Sequence, residues 1–258
     1  MLRRSALDAI VLNGVAEKLQ ATASIQLDDK VNPAATFVPA QPVPGRGGRP
    51  ELVAPSKLPK RSMRTLEGRA ALIHALAHIE LNAVDLGLDI VWRFPGMPEP
   101  FYRDWVAIAK EEADHFTLLN RLLMDRGYAY GDFPAHNGLW EMAEKTRDDL
   151  LARLALVPRT LEARGLDAVI PIRNKLEQVG DHEAAAILDR ILRDEIGHVA
   201  VGNRWYKFLC AQRGLDPLVS DAQLADRYKA PKLRGPFNFE ARRAAGFDED
   251  ELAALRGA

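Results

Sequence analysis

Two short runs in this sequence carry side chains able to grip a metal ion: Glu112-Ala-Asp-His115 and Glu195-Ile-Gly-His198. Each is Glu-x-x-His. On a helix, positions i and i+3 leave one face about a turn apart, so carboxylate and imidazole can reach a common point. One such pair is weak evidence, because surface Glu and His meet at this spacing by chance. Helical phase raises its weight. Stepping about 100° per residue, Trp105, Ile108, Ala109, Phe116, Leu119 and Leu123 share the stripe of Glu112. Leu188, Ile191, Leu192, Val199, Gly202 and Tyr206 share that of Glu195. Both pairs therefore point toward an apolar core, where a carboxylate needs a cation or a proton beside it.

Each pair also has an upstream partner. Glu80 lies in an apolar stripe with Ile73, Leu76, Ala77, Val84 and Gly87, and Glu162 follows Leu151 and Ala155. Glu80 precedes Glu112 by 32 residues, and Glu162 precedes Glu195 by 33. The chain thus repeats one device: a helix with an inward Glu, a turn, then a helix with an inward Glu-x-x-His. A pseudo-two-fold would bring Glu80, Glu112, His115, Glu162, Glu195 and His198 to one level. Four carboxylates and two imidazoles match the ligand set of di-iron and di-manganese carboxylate bundles. Such hard donors suit two ions of iron, with manganese the alternative. Glu111 and Asp194 each precede a ligand glutamate and leave the helix about 100° around. They are expected to hold the second nitrogen of the opposite imidazole, Asp194 that of His115 and Glu111 that of His198. His74 and His78 sit about 120° and 160° from Glu80 on the wheel and are not read as ligands. His136 and His182 are expected in solvent, and the four tryptophans in the core.

Holding these groups takes long helices, and the sequence supplies them. Helical periodicity runs over 65–92, 98–127, 139–164 and 181–213, with a short helix from Pro171 and Gly127 and Gly214 as stops. A helix over 5–19 precedes them, and short helices near 220–228 and beyond Asp248 follow. Between 28 and 60 the pattern fails. Seven of the sixteen prolines lie from Pro33 to Pro59, and proline fixes its own φ and lacks an amide donor. That segment reads as a strap laid over the bundle, with Phe37, Val38, Val43, Leu52 and Val53 as its apolar residues. The expected fold is all-α: 1–64 an N-terminal helix and strap, 65–214 a four-helix bundle, 215–258 a C-terminal extension packed on it. Pro158, one turn before Glu162, should kink its helix.

Composition narrows the chemistry. Thirty-five basic and thirty-six acidic residues give a formal charge of −1, which offers no overall electrostatic grip on nucleic acid or membrane. The single cysteine, Cys210, excludes an internal disulfide and a thiolate-rich metal site, and suits a reducing compartment. No apolar run approaches the roughly 18 residues of a membrane span, and the charged start of the chain is not a signal peptide. A cytoplasmic protein is expected.

The region 65–214 resembles the ferritin-like superfamily of carboxylate-bridged di-iron bundles. More closely, Arg159-Thr-Leu-Glu-Ala-Arg-Gly-Leu-Asp167, Arg193-Asp-Glu-Ile-Gly-His198 and Gly235-Pro-Phe-Asn-Phe-Glu-Ala-Arg242 resemble the bacterial family called domain of unknown function 455. The resemblance implies Glu80 and Glu162 as single-carboxylate ligands, with one or two of the four glutamates bridging the metals. It implies an oxidoreductase, of oxygenase or hydroxylase type, that activates dioxygen or peroxide on a small molecule or a modified nucleobase. A separate electron donor would serve it, and a homodimer is compatible. The alternatives are an iron-handling protein of ferroxidase type and a metal-stabilised binding protein without an organic substrate.

Overall fold

A computed structural model describes residues 1–59 and 61–256 of the chain. Lys60, at the end of the expected strap, and 257–258, at the end of the expected extension, lie outside the described residues. Among the described residues the fold is all-α, and the only strand-like pairing is an isolated parallel bridge between Leu52 and Ala135. The chain divides into two compact units, 1–138 and 139–258.

The first unit is built on α3 (Leu66–Arg93) and α4 (Glu99–Asp125), which pack together along their lengths. Thr65 starts α3 by accepting the Gly68 amide. Gly87 lets the pair approach closely, since a Cβ there would stand 3.0 Å from Ala109 Cβ. Beyond α4 the Gly127 amide reaches Met124 and the Tyr128 amide reaches Leu123, with φ of 80° at Gly127: a Schellman stop where the sequence placed one. By length and composition α3 is apolar enough to cross a membrane, although charged and polar residues interrupt its apolar run. Its most apolar 18-residue window has a mean hydropathy of 1.2 and is 78% buried, as in a core helix.

Two short helices cover this pair, α1 (Leu2–Ile10) against α3 and α2 (Val15–Ser24) against α4. The expected single helix over 5–19 is therefore broken, at the extended Gly14 that precedes α2. The buried Arg3 ties the strap down. Its guanidinium donates to Val91 and Trp92 carbonyls at the end of α3 and to the carbonyls of Asn32, Pro33 and Ala35. A cation is favoured at that helix end. The strap's apolar residues do less than expected: Val38 is 88% and Leu52 42% exposed. Main-chain hydrogen bonds, such as Gly45 to Ile10 and Val53 to Ala135, hold it instead.

The second unit contains all but the first residue of α5 (Gly138–Lys145), then α6 (Leu150–Leu156), a π-helical turn (Val157–Glu162), α7 (Ala163–Gln178) and α8 (His182–Arg213). The expected helix over 139–164 is interrupted before Asp149, whose carboxylate caps α6. From there the chain stays helical past Gly165 and through Pro171 to Gln178, so neither residue is the boundary expected. Pro158 does not end its helix either. A proline has no amide to give, and the wider π turn absorbs the missing bond. Gly202 of α8 faces it: a Cβ there would stand 2.7 Å from Pro158 Cβ. Asp181 caps α8, and Gly214 ends it in the left-handed conformation, as read from the sequence.

After α8 come α9 (Pro217–Arg227), α10 (Phe239–Ala244) and α11 (Glu249–Arg256). Ala241, Ala245, Phe247 and Leu252 share a core with Ala163, Leu166 and Val199 of α7 and α8. Two buried arginines fasten this extension. Arg159 reaches Asn203, Asp221 and Glu251 and lies over the Tyr206 ring, and Arg242 pairs with Asp167 at 2.6 Å. Asp248 and Glu251 cap α11 reciprocally, each accepting the other's amide.

Candidate metal centre

Within the first unit, Glu80 comes from α3 and Glu112 and His115 from α4. All three are at least 96% buried. Their ligand atoms lie within 4.8 Å of one another. His115 Nδ1 stands 3.2 Å from Glu112 Oε2 and 3.3 Å from Glu80 Oε2, so both carboxylates converge on one ring nitrogen. Burial alone would lower the His115 pKa. Hydrogen bonds and charge from Glu112 and Glu80 outweigh it and push the pKa up to about 11. One imidazolium against two buried carboxylates leaves net negative charge, which a divalent cation at the same point would neutralise better than a proton. The donor set is hard oxygen plus imidazole, suited to a first-row divalent ion. This buried Glu/His group can hold a metal ion.

The second unit repeats the local pattern. On α8, His198 Nδ1 stands 3.5 Å from Glu195 Oε1, and both residues are buried. Glu162 ends the π turn, half-buried, in a segment packed against α8. Asp194 is also half-buried, with Arg190 and Arg193 each 3.7 Å away, and Glu111 lies on the exposed side of α4.

The remaining histidines divide differently from expectation. His182 is exposed beside Glu177, as read. His136 is only part-exposed, its Nδ1 accepting the Gly138 amide. His74 and His78 are buried and turned toward the loop 129–137. The Gly131 amide donates to His74 Nε2, so the proton sits on Nδ1. His78 Nε2 donates to the His136 carbonyl at 3.2 Å, which leaves Nδ1 to accept from Tyr130 Oη at 2.7 Å. Burial pulls both imidazoles down to about 4, and the positive charge of Arg46 adds to the effect at His78. All four tryptophans are in the core.

Sequence reasoning missed a second buried polar group on α3. Lys18 of α2, 3% exposed, pairs with Asp85 at 2.6 Å and donates to the Gly45 carbonyl. Arg46 donates to Asn82 and Asn137. The available signal is the run Gly45-Arg-Gly-Gly-Arg-Pro50, which spacing alone reads as part of the strap.

Residues 11–253 match the model of a family described as "Protein of unknown function (DUF455)". An uncharacterized protein of Haemophilus influenzae (strain ATCC 51907 / DSM 11121 / KW20 / Rd) is 49% identical over 223 residues, 84% of this chain and 77% of that protein. No solved structure matches the chain.

Proposed function

The chain belongs to the DUF455 family, and from that premise we propose that it is a ferritin-like di-metal carboxylate protein with oxidoreductase activity. In this reading a four-helix bundle spans 65–214 and joins α3 and α4 to the helical run 150–178 and α8. Glu80, Glu112, His115, Glu162, Glu195 and His198 then hold two ions, iron being the metal. The observation that carries the reading is the repeated arrangement: in each unit a buried imidazole turns Nδ1 toward the carboxylate three residues before it. Two bound iron(II) ions would supply two electrons toward reducing dioxygen or peroxide, and a separate electron donor would restore them. The chain's own residues bind and orient them. The buried stripes around Glu112 and Glu195 exclude water, and Asp194 and Glu111 fix the imidazoles of His115 and His198 from the far side.

Anaerobic iron(II) titration of the full chain tests this. Uptake should saturate at two ions per chain, and Glu112→Ala and Glu195→Ala should each remove at least one site. Asp194→Ala should weaken affinity by about 10–100-fold with the fold intact. Full uptake in both glutamate variants would sink the assignment. Oxygen consumption that stops once the iron is oxidised, with no organic product, would move the function to iron handling.

A further inference from the structure

The outer face of α3 carries a second polar site. His78, Leu81, Asn82 and Asp85 leave α3 roughly 100–200° around from Glu80, away from the metal cluster. Over them the loop 45–50, the start of α2 and Tyr130 surround an open pocket of about 90 Å³. Three cationic side chains line it, Lys18, Arg46 and Arg49, against one carboxylate, Asp85. His78 adds no charge, since its hydrogen bonds to His136 and Tyr130 fix the neutral ring. The lining therefore carries two more cationic than anionic side chains, in a molecule whose total is −1.

The walls are built. The Gly45 amide bonds to Ile10, and a Cβ at Gly45 would stand 2.1 Å from the Val11 carbonyl oxygen, so the loop is pressed onto the end of α1. Asn82 and Asn137 clamp Arg46 at 2.8 and 2.6 Å. Arg49 lies across Gly131, where even a Cβ would come within 3.0 Å of it. Among the described residues Arg49 has no hydrogen bond or ion pair, and it is exposed. Gly47 is the odd member. Its φ is not left-handed, and a Cβ there would touch only the Asn13 carbonyl oxygen at 3.5 Å. The fold would accept a side chain at 47. What the glycine preserves is a bare main-chain wall beside two arginines. Val15, Pro50, Leu52 and Leu81 supply an apolar side to the same pocket.

We propose that this pocket binds a small organic phosphate, its oxyanion held between Arg46 and Arg49 and its apolar part against Leu81 and Leu52. Guanidinium groups match phosphate oxygens in planar, paired hydrogen bonds. The assignment is independent of the metal reading, because no ligand to the metal lines the pocket.

Phenyl phosphate, inorganic phosphate and phenol serve as probes in titration calorimetry on the full chain, with chelator present so that no metal competes for phosphate. Phenyl phosphate should bind saturably, one per chain, inorganic phosphate more weakly, and phenol without measurable heat. Arg49→Gln, at the exposed rim, should lower phenyl phosphate affinity by about 10–100-fold. Arg46→Gln should do the same or more, with circular dichroism reporting its fold. Glu112→Ala should leave binding unchanged. Absence of saturable binding at millimolar phenyl phosphate would overturn the proposal. So would binding that survives Arg49→Gln undiminished, or that disappears in Glu112→Ala.

Discussion

At the scale of single residues, the two buried histidine environments of the first unit titrate in opposite directions. His115, pushed up to about 11 by Glu112 and Glu80 against the pull of burial, is protonated at neutral pH. A metal ion taking Nδ1 must expel that proton. Metal uptake by this half-site should therefore release about one proton, and apparent affinity should rise about tenfold per pH unit through neutrality. Calorimetry in buffers of different ionisation enthalpy measures the release, and uptake without it would place the metal elsewhere. His74 behaves oppositely. Burial holds it down to about 4 from 6.5. Between those values the unfolded chain binds a proton that the folded chain refuses, so stability is full above about 6.5 and falls as pH drops toward 4. The loss should reach up to about 3 kcal/mol. His74→Gln keeps an acceptor for the Gly131 amide and should flatten this acid limb in denaturant titrations. An unchanged limb would mean that other groups drive it.

At the scale of elements, the π turn is the feature with most consequence. It keeps α6 and α7 one continuous run despite Pro158 and sets Glu162 at its last residue. Gly202 makes room for the proline ring from α8. Gly202→Ala should destabilise the protein by about 1–3 kcal/mol through overpacking, since the stiff ring cannot swing aside. Gly197→Ala, on the same helix with nothing within 4 Å of its Cβ, should stabilise by about 0.5–1 kcal/mol through helix propensity. Thermal denaturation of the two variants checks the opposite signs. Helix phase, caps and glycine stops were legible because they depend on spacing within one element. The π turn was not, because whether a proline such as Pro158 can be accommodated depends on the room left by its packing partner, here Gly202, 44 positions further along the chain.

At the scale of the whole molecule, buried arginines fasten the appendages beside the apolar residues they bury, such as Phe247 and Leu252 in the core shared with α7 and α8. Arg3 fastens the strap to the end of α3, and Arg159 and Arg242 fasten the C-terminal extension to α7 and α8. Arg159 and Glu251 are both about 95% buried or more; without Arg159, Asp221 loses this partner and Glu251 keeps Lys207 at 2.9 Å. Arg159→Met should cost about 3–5 kcal/mol. Limited proteolysis should then cut first beyond Gly214, and Glu251→Gln combined with it should recover part of the loss. Cleavage starting within α3 or α4 would show that the arginine serves another part of the fold.

The sequence by itself determined the all-α class, the inward phase of the two Glu-x-x-His pairs, the cap at Asp181 and the stops at Gly127 and Gly214. Each of these follows from period, turn chemistry or burial cost within a few residues. In the sequence, the stretches 159–167 and 235–242 carry only a family likeness. The tertiary structure decided what Arg159, Asp167 and Arg242 in them do, which is to pair in the core between elements far apart in sequence. It decided likewise that His74 and His78 are buried, and that Lys18, Arg46 and Asp85 meet across 67 residues of chain. A wheel drawn on one helix reports the face toward its nearest partner. It is silent about a strap that returns to cover the other face.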